Sequence, residues 1–261
     1  MPGPLHLKRS GPVTELVLNR PDRRNALTEQ MWADLPGLLD EALEDEALRV
    51  LLVRGEGGHF TAGADIGEFA DIYATETRAD AYSVTIARAL DALAAFPAPV
   101  VAKVEGACIG GGCGLALACD LRFAMETARL GITPAKLGLA YPFNDTKRLV
   151  DAVGVSAAKD LIFTARHVGA EEALTMGLVD RVWPADRFDT EFTNWLTPLL
   201  AGSPHTAKVM KRMIGLIASG TASETAETRE LFRAAFGGAD FQEGYGAFLE
   251  KRPPDFSKRS T

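Results

Sequence analysis

The chain has 261 residues, 47% hydrophobic and 24% charged, the mix of an ordinary globular protein rather than a disordered chain, a collagen-like fibre or a coiled coil. Its 35 acidic and 28 basic residues give a net charge of −7, which argues against a nucleic-acid binder, whose footprint would be a basic face. No run approaches the roughly 18 apolar residues of a membrane span, and Met1 to Arg9 lacks the apolar core of a signal peptide. A cytoplasmic protein with neither nucleic acid nor membrane as partner is therefore expected.

Val13 to Leu18 alternates apolar and polar and then turns apolar, as a half-buried strand does. Thr28 is placed to cap a helix carrying Met31, Leu35, Leu38, Leu39 and Leu43 on one face, with Pro36 and Gly37 expected to weaken or bend it. Val50–Val53 reads as a short strand closed by Gly55-Glu56-Gly57-Gly58. A second cycle has a helical stripe of Ile86, Leu90 and Leu93, a strand over Val100–Val104, a glycine-rich loop from Gly106 to Gly114, a short helix over Leu115–Cys119 and a strand over Leu121–Ala124. This alternation is an α/β signature. Beyond position 145 the pattern is mostly helical: Asp145–Val153, Ala157–Phe163, Ala170–Met176, Arg187–Leu200, Pro204–Ile217, Glu224–Phe236 and Phe241–Glu250, with a strand edge at Val179–Val182.

Several chemistries are excluded. The loop Gly110-Gly111-Gly112-Cys113-Gly114 has no G-K-[ST] and is no phosphate-binding P-loop, and G-x-G-x-x-G fails at Leu115. There is no G-x-S-x-G nucleophile elbow. His6, His59, His167 and His205 have no metal-ligand spacing, and Cys108, Cys113 and Cys119 contain no C-x-x-C, so no metal site is expected and the cysteines read as small buried hydrophobes. What remains is two glycine loops, His59–Ile66 and Gly106–Gly114, each following a strand and entering a helix. Facing turns of this kind aim backbone N–H groups at one oxygen, as in an oxyanion hole; the same glycines also serve tight strand–helix packing, and spacing leaves both readings open.

These loops, in this order and spacing, resemble the crotonase (enoyl-CoA hydratase/isomerase) superfamily. Asn25-Ala26-Leu27 matches its N-A-L segment, Phe60-Thr61-Ala62-Gly63-Ala64-Asp65-Ile66 its F-x-A-G-A-D-I segment, and Gly106 to Gly112 with Cys119-Asp120-Leu121 its G-x-x-x-G-G-G loop and C-D-L end. Phe241–Tyr245 and Ala247–Arg252 match its C-terminal helix. The resemblance implies an α/β fold: a spiral core of ββα turns over 1–200 and a helical trimerisation region over 201–261. It implies an acyl-CoA substrate, no separate cofactor because coenzyme A is part of that substrate, and a homotrimer or dimer of trimers. The thioester oxygen would sit between the N–H groups of Ala64 and Gly111, with Asn25, Ala26, Leu27, Ala62, Asp65, Ile66, Gly110 and Lys251 as substrate-binding positions and Arg252 beside Lys251 as a contact for CoA phosphates.

The resemblance breaks at the acid and base. Family hydratases use two glutamates, which align here with Gly114 and Pro134, and neither of these can move a proton. Thr133-Pro134-Ala135-Lys136-Leu137-Gly138-Leu139-Ala140-Tyr141 instead resembles the T-P-x-x-L-G-x-x-Y pattern of methylmalonyl-CoA decarboxylases, in which the tyrosine matching Tyr141 lies in the active site. Those enzymes carry a histidine at Ala64 and a glutamate at Gly114, so the match is partial. Asp65, Asn144 and Asp145 fit helix N-terminal roles, and Asp145 and Glu68 are the candidate substitute carboxylates. Three readings stand: an enolate-forming enzyme with decarboxylation as its leading subtype, a hydratase/isomerase with substitute acid and base groups, and an inactive acyl-CoA-binding subunit.

Overall fold

The computed structural model describes residues 2–257. Met1 of the expected 1–200 core and residues 258–261 of the expected 201–261 helical region lie outside the described residues. In chain order the elements are β1 (Leu5–Ser10), β2 (Val13–Leu18), α1 (Glu29–Leu43), β3 (Val50–Gly55), α2 (Phe69–Ile72), α3 (Glu76–Ala94), β4 (Val100–Val104), β5 (Ala107–Ile109), α4 (Gly111–Leu117), β6 (Leu121–Met125) and β7 (Arg129–Gly131). They continue with α5 (Phe143–Thr164), β8 (His167–Gly169), α6 (Ala170–Thr175), β9 (Arg181–Trp183), α7 (Phe188–Ala201), α8 (Pro204–Ala218), α9 (Ala226–Gly237) and α10 (Ala239–Glu250).

A six-stranded sheet has the order β1-β2-β3-β4-β6-β9, with β1 antiparallel to β2 and every other pair parallel. A small sheet, β5-β7-β8, lies beside it, and Thr61 extends it by a parallel bridge to Cys108. The chain alternates between the two sheets. It runs β3, Thr61, α3; then β4, β5, α4; then β6, β7, α5. Each cycle is one ββα turn of a spiral, as the resemblance implies.

Period-two side-chain alternation explains why the large sheet is covered on both faces. Leu51 and Val53 on β3 point into the main core with Leu16, Leu18, Trp32, Leu35, Leu90 and Leu93. Val50 and Leu52 point to the opposite face, where α7 supplies Phe192. There the Phe123 ring meets Trp183, Phe192 and Trp195 edge-on, with centroids 5.2, 6.1 and 4.6 Å away, the arrangement favoured by aromatic quadrupoles.

Thr28 caps α1 by accepting from the Met31 N–H at 3.3 Å. Helix α1 runs unbroken past Pro36, burying Met31, Leu35 and Leu39 but leaving Leu43 44% exposed. The two helices expected over 145–163 are present, joined end to end in α5 across a kink at Gly154, whose φ is +76°. The short helix expected at Leu115 starts four residues earlier, at Gly111. Its glycines are there for space: a Cβ on Gly112 would stand 2.7 Å from Thr61 Cγ2 and 2.8 Å from the Thr61 carbonyl oxygen. All three cysteines are buried.

Helices α8 to α10 bury almost none of their apolar side chains. Leu231 is half-buried, but Ile214, Ile217, Phe232, Phe236 and Phe248 are each at least 50% exposed. Phe232, Phe236, Phe241 and Tyr245 form a continuous aromatic row, with successive centroids 4.8 to 6.1 Å apart. The lobe is tied to the core where Lys211 Nζ reaches the Ala98 carbonyl at 3.0 Å and Asp120 at 2.7 Å.

Candidate active site

The two glycine loops meet behind α1. Leu27 pairs with Ala64 in a parallel bridge. In this pairing the Leu27 N–H donates to the Gly63 carbonyl and the Leu27 carbonyl accepts from the Asp65 N–H, both at 2.8 Å. The neighbours of Ala64 thus face the bridge, and its own N–H points away. Gly63, at a φ of +92°, has no room for a side chain: a Cβ there would lie 2.4 Å from the Ile109 carbonyl oxygen and 3.2 Å from the Gly111 nitrogen. From the other loop, a Cβ on Gly111 would lie 3.6 Å from the Ala64 nitrogen. Gly111 is the first residue of α4, so its N–H has no acceptor within the helix. Among the described residues neither amide has a hydrogen-bond acceptor.

Ala62, Ala64, Gly110 and Gly111 line one wall of a cavity of about 540 Å³, within the usual size of a small-molecule site. Ile66, Phe69 and Tyr73 form a second wall, Ala79 to Ala87 of α3 a third, and the segment from Thr133 to Asp145 closes the fourth. Among the described residues Asp145 is the one carboxyl on this lining, and no Lys, Arg or His side chain joins it.

Tyr141 and Asp145 occupy the space opposite Gly114. A Cβ on Gly114 would stand 3.2 Å from the Tyr141 hydroxyl and 3.8 Å from Asp145 Oδ2. The Tyr141 hydroxyl donates weakly to the Gly110 carbonyl at 3.4 Å. Asp145 is buried in the first turn of α5, and its Oδ1 accepts from Arg148 Nη1 at 3.1 Å. Burial pushes the Asp145 carboxyl above its ordinary value, and the Arg148 charge offsets this only in part. Burial, with Asp145 alongside, pushes the Tyr141 hydroxyl well above its ordinary value as well. Pro134 opens a 3₁₀ turn on the cavity wall.

Other expected site residues lie behind this wall. Asn25 is fully buried at a φ of +57°. Its side chain accepts from the Arg20 N–H at 2.9 Å and donates to the Glu56 and His59 carbonyls at 2.8 and 2.7 Å. The Ala26 carbonyl accepts from Arg20 Nη1 at 2.6 Å, and Leu27 is in the core. Asp65 caps the 3₁₀ turn Ile66–Glu68 through the Gly67 N–H at 3.1 Å and pairs with Arg20 at 2.8 Å. Burial would raise its carboxyl, but the Arg20 and Gly67 hydrogen bonds hold it below the usual range. Glu68 accepts from the Glu29 N–H at 2.8 Å and is committed to the start of α1. Lys251 ends α10 and is exposed, and Arg252 is paired with Glu243 and Glu250 at 2.6 Å each. Neither lines the cavity within this chain. Sequence reading did not single out Arg148, though its i,i+3 spacing from Asp145 was a usable signal.

A family model described as enoyl-CoA hydratase/isomerase matches residues 8–259. The chain belongs to the enoyl-CoA hydratase/isomerase family. It is 37% identical over 254 residues to a protein of Mycobacterium bovis named a probable enoyl-CoA hydratase, covering 97% of each chain. It is 34% identical to the 2,3-dehydroadipyl-CoA hydratase of Escherichia coli, over 98% of this chain and 99% of that one. Among solved structures, an enoyl-CoA hydratase/isomerase family protein from Hyphomonas neptunium superposes with a TM-score of 0.93 at 47% identity, over 97% of each chain. Membership of the family thus covers core and C-terminal lobe together.

Asn25→Ala deletes three part-buried hydrogen bonds, each worth about 1 kcal/mol. It should lower unfolding free energy by about 3 kcal/mol, measured as a fall in urea midpoint with an unchanged slope.

Proposed function

We propose that the protein is an acyl-CoA enzyme that stabilises a thioester enolate between the N–H groups of Ala64 and Gly111, and that its reaction is decarboxylation of a malonyl-type thioester. The observation that carries this reading is the inventory of the cavity among the described residues: two amides without acceptors, one carboxyl, and no second carboxyl, Lys, Arg or His. Hydration needs a base for water and an acid for the α-carbon. Decarboxylation needs only somewhere to put the electrons and one proton donor.

In this mechanism the thioester carbonyl accepts from both amides. The bond between the α-carbon and the substrate carboxylate breaks, CO2 leaves, and the electron pair moves into the thioester to give an enolate. Its oxygen takes up negative charge opposite two preorganised dipoles, an arrangement worth about 3–4 kcal/mol per donor in known oxyanion holes. The apolar walls favour the step, because the substrate's localised charge is poorly solvated there and the delocalised one is met by the amides. Asp145, whose carboxyl burial pushes above its ordinary value, is the proton donor to the α-carbon in this mechanism and is reprotonated from water. The Tyr141 hydroxyl, beside Asp145 and Gly110, orients the departing carboxylate.

A second reading, enoyl-CoA hydration with Asp145 handling both protons, is favoured by the hydratase names of the relatives. A panel separates the two. Methylmalonyl-CoA or malonyl-CoA should lose CO2, while crotonyl-CoA should be hydrated far below ~10 s⁻¹, the median for enzymes. Asp145→Asn should lower decarboxylation about 10²–10⁴-fold, the worth of a positioned acid. Crotonyl-CoA turnover above that median, with no CO2 from the malonyl thioesters, would replace the first reading with the second. Saturable CoA-thioester binding with no turnover on any of them would favour an inactive binding subunit.

The exposed aromatic row of α9 and α10 also belongs to this proposal. Its apolar side chains exceed what a monomer leaves to water, so copies of the chain cover them in a trimer or a dimer of trimers. Sedimentation at micromolar concentration should give three or six times the 27.9 kDa chain mass; a monomer would contradict it.

A further inference from the structure

Asp145 does not stand alone. Arg148, one turn along α5, donates from Nη1 to Asp145 Oδ1 at 3.1 Å and from Nη2 to Asp91 Oδ1 on α3. Among the described residues Arg148 is the sole hydrogen-bond partner of the Asp145 side chain. The contact is one-sided: Oδ1 is held by the guanidinium, while Oδ2 faces the space beside Gly114, 3.8 Å from where a Cβ would be. The Arg148 side chain is 18% exposed and that of Asp145 8%, whereas that of Asp91 is 51% exposed. The chain is thus graded from cavity to solvent.

We infer that Arg148 is a positioning residue, anchored by Asp91, that pins one oxygen of Asp145 so that the other addresses the substrate's α-carbon. The inference rests on the proposed role of Asp145. A rigid fork suits this task. The guanidinium holds two carboxylates in one plane, and with α3 and α5 each supplying one of them, it fixes the rotamer of the acid relative to the α3 wall of the cavity.

The arrangement also balances charge. The groups facing Asp145 are Arg148 from its own helix, Asp91 from α3, the Tyr141 hydroxyl from the preceding loop and, beyond Tyr141, the Cys113 and Cys108 thiols of α4 and β5. Lys147 and Asp151 pair with each other at 2.5 Å on the exposed side of α5. Among the described residues Arg148 is therefore the one cation acting against burial, and Asp91 sets how much of it Asp145 feels. The two substitutions then have opposite signs. Arg148→Met leaves the acid with burial and the Asp91 charge, so it stays protonated to higher pH. Asp91→Asn removes a negative neighbour and releases the guanidinium to Asp145, so the acid ionises at lower pH.

The test is a pair of measurements on the full chain: the pH profile of kcat on methylmalonyl-CoA, with crotonyl-CoA in parallel, and the titration of the Asp145 carboxyl in protein carrying 13C-labelled aspartate, assigned by its loss in Asp145→Asn. With Asp145 as acid, activity falls as pH rises through its pKa. The alkaline limb should move up by about one unit in Arg148→Met and down by a smaller step in Asp91→Asn, as expected for losing an opposite and a like charge. Arg148→Lys, which keeps the charge but not the fork, should restore the limb but not the full kcat. Asp91 lies at the surface, so Asp91→Asn decides the matter if Arg148→Met does not fold. A carboxyl titration unmoved in the folded variants, or moved in the same direction in both, overturns the inference. Full activity in Asp145→Asn instead overturns the role of Asp145 itself, a separate failure that leaves the carboxyl titrations interpretable.

Discussion

The parallel pairing of Leu27 with Ala64 is the contact on which the site depends. In a parallel ladder a residue's neighbours make its hydrogen bonds to the partner strand, so when Gly63 and Asp65 bond Leu27, the Ala64 amide must point elsewhere. Ala64 lines the cavity, and its amide has no acceptor among the described residues. Everything that holds Leu27 and Ala64 in register therefore also aims the amide. Thr61 does so from inside, donating to the Asn25 carbonyl at 2.6 Å and accepting from the Gly63 N–H at 3.0 Å. Asn25 does so from behind, tying three separate backbone segments. Gly63 and Gly112 let the second loop come near enough for Gly111 to join the first, at separations that a methyl group would forbid.

The chemistry of the cavity follows from what that wall lacks. Gly114 and Pro134 carry no ionisable group, and the space by Gly114 is taken by Tyr141 and Asp145 from the start of α5. A single buried carboxyl among the described residues, that of Asp145, lines the cavity instead. Burial favours its neutral form, which suits a proton donor and disfavours a base that must ionise near neutral pH. The Arg148 charge tempers this shift without reversing it, and Asp91 adds to it.

Much of this was legible in the chain. Alternation gave β2, a short apolar run gave β3, the 3.6-residue stripes gave α1 and α3, and the glycine loops with their flanking motifs marked Ala64 and Gly111 as candidates. The strands β1, β5, β7 and β8 were not seen. Three of them have only three residues, too short for periodicity to register, and β1 sits on an edge with polar residues at four of its six positions. The early start of α4 was hidden because glycine has poor helix propensity; only the tertiary approach of Thr61 explains why glycines open that helix. Asn25 and Asp65 looked like binding residues because their segments carry the family pattern. In the fold their side chains hold the backbone that forms the wall. The grouping of Arg148 with Asp91 spans 57 positions and two helices, a distance that no local pattern encodes.

The central claim is that the Ala64 and Gly111 amides polarise a thioester oxygen. It is tested most directly by isotope-edited infrared spectroscopy of a 13C-carbonyl acyl-CoA bound to the protein. Two amide hydrogen bonds in a water-poor cavity should move the carbonyl band to lower frequency than in water, and Gly111→Pro, which keeps a residue suited to the first helical position but deletes the donor, should return it part of the way. A bound carbonyl absorbing at its aqueous frequency, or one indifferent to the loss of the Gly111 N–H in a folded variant, would contradict the account.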